Sequence, residues 1–175
     1  MLKPHDRRDI YFKLGEEIGE EGKNSCVYTA YDPQLDATIV IKEIDKNLFN
    51  SVDDYFLEAS ILYSERHPNV VPIKYACQND EFIYLAMPYF QNGSLKTLLH
   101  QRFLTVREII VFATQFLSAL HHVHTKRLIH FDVKPDNILV SERGEALLSD
   151  FGLAKQLQLN GVAEQDRIYS KMTPP

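Results

Sequence analysis

Residues 130 to 137 read His130-Phe131-Asp132-Val133-Lys134-Pro135-Asp136-Asn137, and so bring a carboxylate, an ammonium and a carboxamide into one short stretch. Pro135 disfavours the α region for Lys134, so the stretch reads as a loop and not as a helix. These three groups suit chemistry on a charged oxygen. Asp132 can accept or orient a hydroxyl proton, Lys134 can neutralise a transferring phosphoryl oxygen, and the Asn137 side-chain carbonyl can ligate a hard cation such as Mg²⁺. The elements that must hold the loop follow it. Ile138-Leu139-Val140 reads as a buried strand, Glu142-Arg143-Gly144 as a turn, and Ala146-Leu147-Leu148 as a second strand that runs into Asp150-Phe151-Gly152.

The 175 residues suffice for one domain with a real core, and 45% hydrophobic with 25% charged residues is ordinary for a globular chain. A formal net charge of −5 argues against a nucleic-acid footprint, which is basic. Two cysteines, Cys26 and Cys77, do not make a secreted disulfide framework. The charged start has no apolar run behind it and so does not read as a signal peptide, and Ile109 to Leu120 is too short and too interrupted to span a bilayer. These features predict a cytoplasmic protein with no membrane partner.

Upstream of the loop, residues 10 to 44 read as strands. Tyr11 to Ile18 and Cys26 to Tyr31 flank Gly19-Glu20-Glu21-Gly22-Lys23-Asn24-Ser25, and Thr38 to Ile44 follows a turn at Asp32-Pro33. Alternation puts Val40 and Lys42 on one face. Ser51 starts a predicted helix that runs to about Arg66, on which Tyr55, Glu58 and Leu62 share a stripe. A carboxylate on a buried stripe needs a partner, and Lys42 is the natural one. Val71 to Tyr75 and Phe82 to Met87 read as a strand pair, Gly93-Ser94 as the start of a short helix, and Thr105 to His124 as an amphipathic core helix carrying Ile109, Phe112, Ala113, Phe116, Leu117, Leu120 and Val123. His121, His122, His124 and His130 have no cysteine or acid at ligand spacing and do not read as a zinc site.

The loop followed by its Asp150-Phe151-Gly152 triplet resembles the catalytic loop and metal-binding triplet of the eukaryotic-type serine/threonine protein kinases. The resemblance implies an α+β, bilobal fold. Residues 1–87 would form a lobe with an antiparallel sheet and one helix, 88–94 a hinge, and 95–175 a partial, mostly helical second lobe with the catalytic loop and activation segment. It implies transfer of the γ-phosphate of ATP to a protein Ser or Thr hydroxyl, with Mg²⁺ as cofactor. Lys42 would clamp the α- and β-phosphates and pair with Glu58. Asp132 would orient the attacking hydroxyl, Lys134 would steady the γ-phosphate, and Asn137 and Asp150 would hold Mg²⁺. Ile18, Gly19, Gly22, Val27, Val40 and Leu139 would enclose the nucleotide. Met87 would stand as gatekeeper, and adenine would be read by the Pro88 carbonyl and the Phe90 N–H. Leu62, Ile73, His130 and Phe151 stand where the family stacks one hydrophobic spine. Lysine two residues after the aspartate matches the serine/threonine branch.

The chain departs from the family pattern in several places. The glycine loop matches loosely, with Glu20 and Ser25 where glycines are usual, and Val40 stands where the family has alanine. Phe131 replaces the arginine before the catalytic aspartate, so the resemblance implies an activity not switched by that arginine's pairing with an activation-loop phosphate. The sequence closes on Met172-Thr173-Pro174-Pro175, the run-up to the family's A-P-E segment, which predicts an incomplete second lobe and a partner to cover it. A catalytically weak or inactive, pseudokinase-like binding module is the alternative reading.

Overall fold

In the computed structural model, residues 12–20, 25–34, 36–48, 63, 66–151 and 155–156 are described. They fall into two compact units: one holds the residues up to 48 together with Ile73–Tyr89, the other residues 66–72 together with Phe90 onward.

β-Branched and aromatic residues in alternation build the sheet of the first unit. Its strands are β1 (Lys13–Glu20), β2 (Ser25–Asp32), β3 (Ala37–Asp45), β4 (Tyr75–Gln78) and β5 (Phe82–Pro88), antiparallel in the order β1-β2-β3-β5-β4. Ile39 and Ile41 are fully buried on one face with Ala30 and Ala86, packed by Phe12, Tyr75 and Tyr84. β1 bulges between Leu14 and Glu17. The Thr29 hydroxyl closes the bulge, accepting from Glu16 N at 3.0 Å and donating to Glu16 O at 3.2 Å. A Cβ at Gly15 would lie 2.5 Å from the same hydroxyl oxygen, so only glycine fits beside it.

The expected strand over Val71 to Tyr75 begins only at Tyr75. Backbone groups just before it are already used in the second unit: Leu148 N donates to Asn69 O, Val71 N donates to Leu148 O, and Val70 bridges Leu148 in parallel. Val71 is buried there, whereas Lys74 N already donates to Ala86 O of β5 at 2.8 Å, so the expected pairing with β5 is made only at the end of the run. The helix expected from Ser51 to Arg66, with Glu58 on it, lies outside the described residues except at Tyr63 and Arg66.

The second unit contains α1 (Leu95–Gln101) and α2 (Val106–Thr125). Ser94 caps α1, its hydroxyl accepting from Thr97 N at 3.2 Å. Thr105 and Glu108 form a reciprocal capping box at the start of α2. Arg102 and the Thr105 backbone N–H hold the Glu108 carboxyl down at about 2. α2 buries Phe112, Ala119 and Val123 and packs Phe116 and Leu120 against the core. Ile109, Ala113 and Leu117, expected in the core, lie on the neighbouring stripe instead. Ile109 is 52% and Leu117 61% exposed. Helical spacing tells which residues share a face, and the number of packed neighbours decides how wide the buried face is.

Two short ladders complete this unit's described strands: β6 (Leu128–Ile129) with β9 (Lys155–Gln156), and β7 (Ile138–Val140) with β8 (Ala146–Leu148). β7 and β8 flank the expected turn in register Ile138↔Leu148, Leu139↔Leu147, Val140↔Ala146. The fold is α+β, as the sequence predicts: an antiparallel sheet in one unit, helices with short ladders in the other. Among the described residues no helix is long and apolar enough to cross a membrane.

Candidate active site

The loop after β6 is built from its own polar groups. Pro135–Asn137 forms one 3-10 turn, started by Lys134 in extended conformation, as the proline requires. Asn137 is fully buried at the end of that turn. Its Nδ2 donates to the backbone oxygen of Asp132 at 2.8 Å and to Asp132 Oδ2 at 2.9 Å. These two acceptors fix the amide, because the reversed orientation would set oxygen against oxygen. Lys134 Nζ donates to the same Oδ2 at 2.9 Å. The remaining amide atom, Asn137 Oδ1, is buried and has no donor among the described residues. A buried amide oxygen without a donor is costly unless something else satisfies it, and a hard cation that takes oxygen ligands does so. The residues present therefore fit Mg²⁺.

His130 ties this loop to the triplet. The ring is buried, accepts from Asp132 N at Nδ1 (3.3 Å), and donates from Nε2 to Ser149 O at 2.8 Å. A carbonyl only accepts and a backbone N–H only donates, so the partners assign a neutral ring with its proton on Nε2. Burial pushes its pKa below the ordinary 6.5. The ring meets Phe151 at a centroid distance of 4.8 Å. Phe131 and Asp150 both adopt positive φ, 61° and 57°. Aspartate tolerates the left-handed region, whereas a bulky phenylalanine there costs on the order of 1–3 kcal/mol, strain that the surrounding bonds must hold.

A second histidine is also held neutral. His67 Nδ1 accepts from Asn69 N at 3.1 Å, its Nε2 lies 3.2 Å from the Ser118 hydroxyl, and the ring stacks on His122 at 4.8 Å. Burial first, then the charge of His122, lower its pKa. Both histidines bind protons less readily folded than unfolded, so unfolding takes up protons and stability rises with pH. Their contribution is complete above 6.5 and is lost as pH falls through the depressed folded values. Thermal melts between about pH 5 and pH 8 should show a melting temperature that climbs with pH and levels off above the ordinary histidine value. A melting temperature flat across that interval would contradict the neutral assignment.

In the first unit, β3 carries the other charged group. Lys42 is 7% exposed. Register places Val27 opposite Lys42 and Val40 opposite Met87, so these four share one face of the sheet, opposite the Ile39–Ile41 core face. Gly19 pairs with Val27 and Glu20 with Cys26, so strand pairing runs to the last residue of β1. Pro88 ends β5, opposite Ile39. In the second unit Leu139 is half-buried in β7 and bridges Ser94, and Phe90 O accepts from Gly93 N at 3.0 Å. Ile18 lies near the end of β1, half exposed. Glu58 and Gly22 fall outside the described residues.

The sequence pattern of the family described as "Protein kinase domain" matches residues 12–172. The chain belongs to the protein kinase family. It is 30% identical over 157 residues to the serine/threonine-protein kinase pakA of Talaromyces marneffei, covering 90% of this chain and 24% of that protein. It is 33% identical over 159 residues to the STE20 kinase of Eremothecium gossypii (90% and 16%), and 35% identical over 152 residues to the ULK3 kinase of Rattus norvegicus (83% and 32%). The kinase chain thus spans a third or less of these relatives' lengths.

Of the residues expected from sequence, the second unit gathers Asp132, Lys134 and Asn137 into one bonded cluster. Asp150 follows Ser149, which is bonded to Asn137 and His130. Ser149 and Asn69 were not legible as site supports. The only signal for Ser149 was its place immediately before Asp150.

Proposed function

We propose that the chain carries the catalytic core of an ATP- and Mg²⁺-dependent serine/threonine protein kinase, transferring the γ-phosphate of ATP to a protein Ser or Thr hydroxyl. The observation that carries this reading is the Asp132 carboxylate held by Lys134 and Asn137, with Asn137 Oδ1 buried and lacking a donor among the described residues. Two donors on Oδ2 leave the carboxylate acceptor capacity for a substrate hydroxyl. In the transfer, the hydroxyl oxygen forms the new bond to phosphorus, the bond from phosphorus to the ADP oxygen breaks, and Asp132 orients the hydroxyl and takes its proton. Lys134, already beside Asp132, places a positive charge for the γ-phosphoryl oxygens. Asn137 Oδ1 and the Asp150 carboxylate are the groups that would hold Mg²⁺, which when bound neutralises phosphate charge.

The reading assigns the α- and β-phosphates to Lys42, with Glu58 as its expected partner. The reading assigns nucleotide contacts to Ile18, Gly19, Gly22, Val27, Val40, Met87 and Leu139, and recognition of adenine to backbone groups of Pro88 and Phe90. The serine/threonine assignment rests on Lys134 and on the named relatives. The acidic net charge and two free thiols support a cytoplasmic protein without a nucleic-acid partner. The exposed Val106, Ile110 and Leu117 of α2 support a covering partner. A catalytically weak or inactive, pseudokinase-like binding module is the second reading, favoured by Glu20, an acid beside the expected phosphate loop that repels a triphosphate.

The test is a thermal shift of this chain with ATP, with and without Mg²⁺, using Lys42→Met as control, followed by phosphoryl transfer to a Ser/Thr protein substrate. The reading expects a Mg²⁺-dependent rise in melting temperature that the control lacks. A cooperative melt with no shift would reject it. A shift without any transfer would favour the second reading.

A further inference from the structure

Ser149 stands between the two residues assigned to the cation, and three of its groups are committed. Its N–H and its hydroxyl both donate to the Asn137 backbone oxygen, at 2.9 and 3.0 Å. Its own carbonyl accepts from His130 Nε2 at 2.8 Å. On its N-terminal side, Leu148 is fully buried and anchored through Asn69 O and Val71 N. On its C-terminal side, Asp150 turns into the left-handed region. One small residue therefore fixes the backbone of Asn137 against the backbone that leads into Asp150. The Asn137 side chain is fixed from the other direction by Asp132.

We propose that Ser149 is a positioning residue for the cation site, acting through Asn137 and Asp150 and setting the separation of their oxygen ligands. The inference rests on the kinase reading above. Its chemistry is specific to the hydroxyl. Without it, the Asn137 carbonyl keeps the Ser149 N–H, so no buried acceptor is orphaned and the fold is retained, but one of the two restraints on the spacing is gone. Mg²⁺ demands near-ideal octahedral geometry with short bonds, whereas Ca²⁺ accepts longer and more variable ones. Loosened ligand spacing therefore penalises Mg²⁺ more than Ca²⁺.

The experiment measures ATP binding to the full chain while Mg²⁺ or Ca²⁺ is titrated, for the parent, Ser149→Ala, Ser149→Thr and Ser149→Cys. Removing an outer-shell partner typically weakens metal binding by about 10- to 100-fold. With the backbone N–H retained, the lower end is expected: a Mg²⁺ half-saturation raised roughly tenfold in Ser149→Ala, with the Ca²⁺ value moving less than about twofold. Ser149→Thr keeps a hydroxyl and should restore the parent's Mg²⁺ value. Ser149→Cys, a weaker donor of similar size, should fall between and serves if the alanine variant does not melt cooperatively. Equal weakening for both cations, or a fall in cation-free melting temperature with an unchanged Mg²⁺ value, would show a merely structural serine and overturn the proposal. A parent chain with no cation-linked ATP binding would fail at the kinase reading itself, and the role of Ser149 would fall with it.

Discussion

Asp132→Ala lowers phosphoryl transfer by roughly 10²- to 10⁴-fold, the span associated with a positioned general base. The structure also says what should not change. Lys134 Nζ loses an acceptor, but that pair is partly exposed, with side chains 44% and 30% accessible, and exposed ion pairs contribute little stability. Asn137 Nδ2 keeps the Asp132 backbone oxygen at 2.8 Å, so the amide stays oriented. Melting temperature and Mg²⁺-linked ATP binding should therefore stay close to those of the parent. Steady-state transfer to a Ser/Thr substrate, measured beside a melt, checks both halves. A loss under about tenfold in a folded variant would remove Asp132 from the catalytic role.

Asn137→Ala is the second large effect, and it strikes stability and metal together. The truncation leaves the Asp132 backbone oxygen without the Nδ2 donor and opens space at a fully buried position. Orphaning a buried acceptor costs roughly 1–3 kcal/mol. It also deletes Oδ1, the buried oxygen that lacks a donor among the described residues. Mg²⁺-dependent ATP binding should be lost or shifted far beyond the titration range of the parent. Asn137→Asp separates the two contributions. It keeps an oxygen for the cation but brings a second carboxylate onto Asp132, and like charges disfavour joint ionisation. That variant should bind Mg²⁺ better than the alanine and melt below the parent at neutral pH. Mg²⁺ dependence unchanged in both variants would rule out Asn137 as a ligand.

The order of chemistry-bearing residues needed no structure. The Asp132, Lys134, Asn137 and Asp150 spacing, the hairpin over Ile138 to Leu148 and the strand carrying Val40 and Lys42 were all legible, because each rests on local physics. Strand alternation puts Val40 and Lys42 on one face whatever surrounds them. Proline restricts the residue before it in any fold, and Lys134 is extended accordingly. The cap residues of both helices sit beside their own first turns, so Ser94 and Thr105 mark those starts in the sequence.

Tertiary structure alone decided which groups satisfy one another. The Asn137 amide is oriented by Asp132, the Ser149 hydroxyl turns to the Asn137 carbonyl, and His130 is made neutral by partners on either side of its ring. None of these follows from residue type, since serine, histidine and asparagine accept many partners and packing chooses among them. The Val71 to Tyr75 stretch shows the same limit: Val71 N is taken by Leu148 O of β8, and pairing with β5 is left to the end of the stretch, where Lys74 N donates to Ala86 O. So do Ile109 and Leu117, whose spacing set the stripe and whose neighbours set the exposure. The positive φ of Phe131 is the sharpest case. Its side chain argues against that backbone region, and bonds among His130, Asp132 and Asn137 fix the chain on either side of it. The sequence by itself determined the family, through its motifs, and most strand and helix positions, because periodicity and backbone restriction act over a few positions. The geometry of the Asp132–Lys134–Asn137 cluster was decided by contacts across the loop and the β7–β8 ladder, between groups that are distant from one another in local periodicity.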